Sequence, residues 1–104
     1  MVSKGIALKL KPRCYDEYKR RHDDLWPEMA AAMKLHGINM AIYRFDEYLF
    51  IYAAAPSEKA WADMKEDEVT PRWNRYMADV LETDERGEIV FHALPRAFAF
   101  GDLR

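Results

Sequence analysis

The sequence predicts an α+β fold of the ferredoxin-like kind, β-α-β-β-α-β, in which helices cover one face of a four-stranded antiparallel sheet. Three observations predict it. Apolar alternation or runs of β-branched and aromatic residues recur at 6–11, 38–45, 48–55 and 89–94. Helical periodicity with start and stop signals fills the intervals after the first and third of these segments. The whole chain is 104 residues, which suits a single domain spanning 1–104.

The elements follow in order. Ile6, Leu8 and Leu10 alternate onto one face of a first strand that Pro12 ends. The chain reads as helical from Arg13 to His36. Pro27 falls inside that helix, so it breaks or kinks near Trp26 and restarts with Pro27 in a first turn. Gly37 is the expected C-terminal stop. Residues 38–45 and 48–55 pair as a hairpin around Asp46-Glu47. Ser57 caps a helix running to about Glu68, and Thr70 caps another, with Pro71 first, running through Leu81. TDERGE, residues 83–88, is a turn, and the last strand, 89–94, stops at Pro95.

Helices on one sheet face leave the other uncovered. A second copy of the chain is the simplest cover, so a homodimer packed sheet to sheet is expected. The tail, residues 96–104, is apolar enough to dock on that partner subunit.

Composition removes several function classes. Lys and Arg number 16 against 18 Asp and Glu, for a net charge of -2. That balance points to no nucleic-acid or anionic-membrane partner. No apolar run is long enough to span a bilayer, and the N-terminal segment alternates instead of forming the apolar stretch of a signal peptide. The single cysteine, Cys14, forms no internal disulfide. His22, His36 and His92 lie too far apart for paired-ligand spacing, so no metal is expected. The four glycines are isolated, so there is no phosphate loop, and neither Ser3 nor Ser57 sits in a nucleophile elbow. A cytoplasmic protein doing acid–base chemistry without a cofactor is the expectation that remains.

That chemistry centres on YKRRHDDLWPEM, residues 18–29. Tyr18, His22 and Trp26 stand four apart inside a charge run that otherwise reads as solvated surface, so they share a helix face. The plain alternative is that Tyr18 and Trp26 are core and His22 a boundary residue. The functional reading is a pocket wall. Histidine titrates nearest neutrality, and flat aromatic rings suit the apolar faces of a sugar. A second aromatic block, PRWNRYMADVL, opens a helix. Tyr76 and Met77 have core spacing there, while Trp73 near the N-terminus is placed to edge a cleft.

EYKRRHDDLWPEM, HGINMAIYRFDEYLFIYA and PRWNRYMADVL together resemble the L-rhamnose mutarotase family, from about Gly5 to Phe91. The specific elements are Y-x-x-x-H-x-x-x-W-P-E, at Tyr18, His22, Trp26, Pro27 and Glu28, and R-W-x-x-Y-M, at Arg72, Trp73, Tyr76 and Met77. The resemblance implies a dimeric, α/β barrel-like assembly that interconverts the α and β anomers of a 6-deoxy-hexose. It implies that His22 is the proton donor, that Tyr18 binds or relays at the sugar, and that Trp73 lies against it. Trp26, Met40 and Asn74 complete the expected substrate site. Met40 stands where rhamnose enzymes have tyrosine, and Asn74 replaces the second residue of a Trp-Trp pair. Those two forms resemble family members acting on other sugars, notably L-fucose. Ferredoxin-like dimers also include cofactor-independent monooxygenases and haem-binding proteins. A haem reading would use His22 or His92 as axial ligand.

Overall fold

The structure, a computed structural model, describes residues 1–103. Arg104, the last residue of the expected docking tail, lies outside them. The elements run β1 (Val2–Lys9), α1 (Tyr15–Asp23), α2 (Pro27–Leu35), β2 (Asn39–Phe45), β3 (Tyr48–Ala55), α3 (Glu58–Glu66), α4 (Val69–Met77) and β4 (His92–Ala93). A short 3-10 turn, Gly101–Leu103, follows. The strands form one antiparallel sheet in the order β2-β3-β1-β4.

Register decides which side chains face the helices. Leu8 pairs with Leu49 and Ile6 with Ile51, and Ile42 of β2 also pairs with Ile51. These residues join Tyr18, Met29, Met64, Trp73 and Met77 of the helices in one core. The intervening residues Tyr43, Phe45, Phe50 and Tyr52 point to the opposite face, where no helix covers them and all four are exposed.

Local signals explain most joints. Trp26 is extended ahead of Pro27, as a residue before proline prefers, and Pro27 begins α2. Gly37 adopts φ +71, and the Ile38 N–H donates to the Met33 carbonyl at 2.8 Å, which closes α2. Asp46 takes the left-handed conformation in the two-residue hairpin turn. The Ser57 hydroxyl accepts from the Ala60 N–H at 3.1 Å.

Several boundaries differ from the sequence reading, among them the end of α4, which stops at Met77 instead of running through Leu81. β1 begins at Val2, because β3 continues to Ala55 and pairs with it. α1 begins at Tyr15 instead of Arg13, whose φ of 60 is not helical. α4 begins at Val69, before Thr70. Asp67 accepts from the Val69 N–H at 3.2 Å, and the Thr70 hydroxyl instead donates to the Met64 carbonyl at 2.7 Å. The last strand shrinks to two residues. Beyond Ala7 the β1 edge is already occupied: the Glu82 N–H donates to the Lys9 carbonyl at 2.7 Å, and Leu10 bridges Leu81. Ile89 and Val90 therefore pair with Thr83 and Glu82 instead of the sheet.

Candidate active site

A cavity of about 560 Å³ lies between the inner sheet face and the helices. That volume is in the range of small-molecule sites. All four helices line it, and two of them do so by simple periodicity. α1 presents Tyr15, Tyr18, Lys19, His22 and Asp23, at i, i+3, i+4, i+7 and i+8. α4 presents Thr70, Trp73, Asn74 and Met77, at i, i+3, i+4 and i+7. Met40, Ile42 and Arg44 of β2 alternate into the same space.

Tyr18, His22, Met40, Trp73 and Asn74 are thus brought together from three elements. Trp26 is not: it does not line the cavity. Its ring meets Trp73 edge-on at 5.0 Å and Tyr76 at 5.0 Å, so it backs the cavity wall. Pro27 accounts for this, because the break it forces takes Trp26 off the end of α1, where the four-residue spacing no longer sets direction. Glu28 makes an exposed 3.9 Å pair with Arg72, outside the cavity. His92 sits at the sheet edge, 3.6 Å from Glu82, outside the cavity.

His22 stands where the walls of α1 and α4 meet. Its ring packs 4.4 Å from that of Tyr18 and edge-on at 5.3 Å to Trp73. Nδ1 lies 3.2 Å from the Tyr18 carbonyl. A carbonyl only accepts, so Nδ1 carries the proton and neutral His22 leaves a lone pair on Nε2. Burial holds the imidazole below its ordinary pKa, against the smaller opposing effects of the Tyr18 carbonyl and Asp23. His22 is therefore neutral at rest.

Tyr18 is 4% exposed, yet its hydroxyl has no hydrogen-bond partner among the described residues. No buried side-chain polar atom there lacks a partner, so that hydroxyl opens on the cavity. Burial raises its pKa, which keeps it a phenol. The Asn74 carboxamide also has no partner among the described residues.

The charge run around His22 holds a clamp as well as a solvated face. The Arg21 side chain is only 11% exposed and pairs with Asp79 at 2.7 Å. It also donates to the Tyr76 carbonyl and lies 4.4 Å over the Tyr76 ring. Arg20 and Arg21 in turn hold the Glu17 carboxyl down at about 2. Arg21 therefore ties α1 to α4, which fixes His22 against Trp73. Sequence reading missed this clamp, and it missed Tyr15, Lys19, Asp23 and Arg44 as lining residues. Extending the helical spacing back from Tyr18 to Tyr15 finds the first of them.

Among the described residues, no cluster of three or more histidine, cysteine or acidic side chains is grouped to hold a metal, and no helix is long and apolar enough to cross a membrane.

Comparison with known proteins gives a consistent set of relatives. The family model for L-rhamnose mutarotase matches residues 3–99. The L-rhamnose mutarotase of Shouchella clausii is 36% identical over 101 residues, 94% of this chain and 97% of that protein. That of Pectobacterium carotovorum is 35% identical over the same extent. The crystal structure of L-rhamnose mutarotase from Formosa agariphila superposes with a TM-score of 0.81 at 24% identity, covering 97% of this chain and all of that one. Its likeness supports the four-stranded α+β fold.

Proposed function

The chain belongs to the L-rhamnose mutarotase family, and on that premise we propose that it is an isomerase interconverting the α and β anomers of L-rhamnose. L-fucose is the alternative sugar. Met40 and Asn74 at the cavity wall favour testing it in parallel. The observation that carries the proposal is the pair of unpartnered polar atoms, His22 Nε2 and the Tyr18 hydroxyl, opening on one cavity.

The mechanism follows from their protonation. Neutral His22 takes the proton of the anomeric hydroxyl on Nε2 as the C1–O5 bond breaks and the C1 carbonyl forms. The electron pair of the broken bond leaves on O5. The imidazolium then gives its proton to O5, so the donor role suggested by resemblance is its second act. O1 and O5 are bonded to the same carbon, so one ring nitrogen serves both. The Tyr18 phenol donates a hydrogen bond to O5 as charge develops there. Rotation about C1–C2 and reclosure by the reverse steps deliver the other anomer. Unaided mutarotation is already slow but measurable, so one acid–base group, contributing on the order of 10²–10⁴-fold, accounts for the task. Trp73 and Asn74 position the sugar, and Trp26 holds Trp73.

Around this site we propose a ferredoxin-like homodimer, a reading that the strand order β2-β3-β1-β4 supports. The exposed Tyr43, Phe45, Phe50 and Tyr52 form the face to be covered. Phe98 and Phe100 of the tail, both more than 80% exposed, are suited to the partner subunit. A single cytoplasmic domain working without metal or cofactor completes the proposal.

Saturation-transfer NMR on the anomeric protons of L-rhamnose, with L-fucose alongside, tests it. The parent protein speeds exchange of one sugar, and His22→Ala loses most of that acceleration while remaining folded. Equal rates for parent and variant remove His22 from the mechanism.

A further inference from the structure

Arg44 lies on β2 with its side chain on the cavity face of the sheet. Two contacts hold its guanidinium in place. Cζ stands 4.0 Å over the ring of Tyr15, and Nε donates to the Asp46 carbonyl at 2.7 Å. The contact with Tyr15 is a cation–π interaction, and the second bond depends on the left-handed Asp46 in the hairpin turn. Both terminal nitrogens have no partner among the described residues, and no carboxylate pairs with them. The other lining cation, Lys19, is already bound to Asp23 at 2.8 Å. Arg44 is therefore a fixed guanidinium whose outer fork is unused.

Its position along α1 says what that fork meets. Tyr15, Tyr18 and His22 follow one helix face, with Tyr15 about 10 Å along the axis from His22. A pyranose that meets His22 with its anomeric carbon and lies along α1 has its opposite edge on the side of Tyr15 and Arg44. The planar fork matches two neighbouring oxygens, a match that the single point charge of lysine lacks.

Building on the mutarotase reading, we propose that Arg44 is a specificity-determining residue that binds the hydroxyl pair on C3 and C4 of the sugar. It touches the end of the substrate where no bond changes. Its interaction is the same in the ground state and the transition state, so it acts on KM and leaves kcat alone.

The test compares the parent protein, Arg44→Leu and Arg44→Lys on L-rhamnose and 4-deoxy-L-rhamnose, and on L-fucose and its 4-deoxy analogue, by anomer-exchange NMR. Arg44→Leu raises KM for the full sugar on the order of tenfold or more, with kcat within twofold. Arg44→Lys recovers part of the loss. The 4-deoxy sugar already has a raised KM with the parent protein, and Arg44→Leu adds little to it. A KM unchanged in Arg44→Leu, an equal rise for full and deoxy sugars, or a fall in kcat alone would each overturn the assignment. If the parent accelerates none of these sugars, the mutarotase reading falls and takes Arg44 with it. If the parent is active and only the Arg44 pattern fails, the mutarotase reading stands.

Discussion

Tyr18→Phe removes one oxygen from the centre of the site and leaves everything else in place. The ring remains 4% exposed and packed 4.4 Å from that of His22. The Tyr18 carbonyl still accepts from His22 Nδ1, because that acceptor belongs to the backbone. The lost hydroxyl has no partner among the described residues, so no hydrogen bond among them is broken. The fold therefore changes by no more than about 0.5 kcal/mol. For a domain of this size the melting temperature then stays within about 3 °C of the parent. Catalysis responds differently. A hydrogen bond to an oxygen taking on charge is worth about 1.5–3 kcal/mol. Its loss lowers kcat/KM by roughly 10- to 150-fold. Thermal melts and saturation-transfer rates on the same samples check both numbers. Unchanged exchange in a folded variant would make Tyr18 a core residue and nothing more. A large drop in melting temperature would show that the hydroxyl held the fold and did not face the sugar.

Three other outcomes follow from the same geometry. His22 has its pKa lowered by burial from an ordinary 6.5, so kcat/KM is flat at neutral pH and falls only below pH 6.5. The unfolded chain protonates first on acidification, so the stability that neutral His22 contributes is full above pH 6.5 and is lost as pH falls. An imidazole NMR titration midpoint at or above 6.5 would contradict this. Gly37→Ala forces a side chain onto φ +71 and sets its Cβ 2.8 Å from the Pro56 ring, so it costs about 2 kcal/mol or more, read as a lower urea midpoint. A cost under about 1 kcal/mol would mean that this turn relaxes freely. Phe50→Asp places a charge in the middle of the uncovered sheet face and gives a monomer in sedimentation at micromolar concentration where the parent is a dimer. A parent that sediments as a monomer removes the proposed dimer.

Local chemistry was legible in the sequence where one residue decides one joint. Pro27, Gly37 and Ser57 each act through their own backbone or side chain, and each does what its residue type predicts. Joints decided by distant residues were not legible. Thr70 has the composition of an N-cap, but its hydroxyl finds the Met64 carbonyl, and Asp67 takes the capping role while also accepting from His36 at 3.1 Å. Residues 89–94 have the composition of a strand, yet only His92, Ala93 and the Leu94 N–H, which donates to the Gly5 carbonyl, reach β1, because residues 80–82 hold its other end. Arg44 reads as an ordinary charged residue of a half-exposed hairpin. Only the register, which puts it on the same sheet face as Ile42 and Met40, shows that it enters the cavity.

The Tyr18-His22-Trp26 stripe and the second aromatic block posed a choice between core and function, and for Tyr18 and Trp73 the choice is not exclusive. Both are more than nine-tenths buried, and both line the cavity. A small domain has few large side chains with which to fill the space between a sheet and its helices. Residues that wall a ligand site inside that space therefore also hold the helices to the sheet. Hydrophobic periodicity reports their burial correctly and says nothing of the empty side of each ring. The polar atoms make the distinction. A core tyrosine finds a partner for its hydroxyl, and a core histidine finds partners for both nitrogens or forgoes burial. Here the Tyr18 hydroxyl and His22 Nε2 have no partner among the described residues, with Tyr18 buried and His22 half-buried, and both residues line the same cavity. In the proposed mechanism the substrate is that partner.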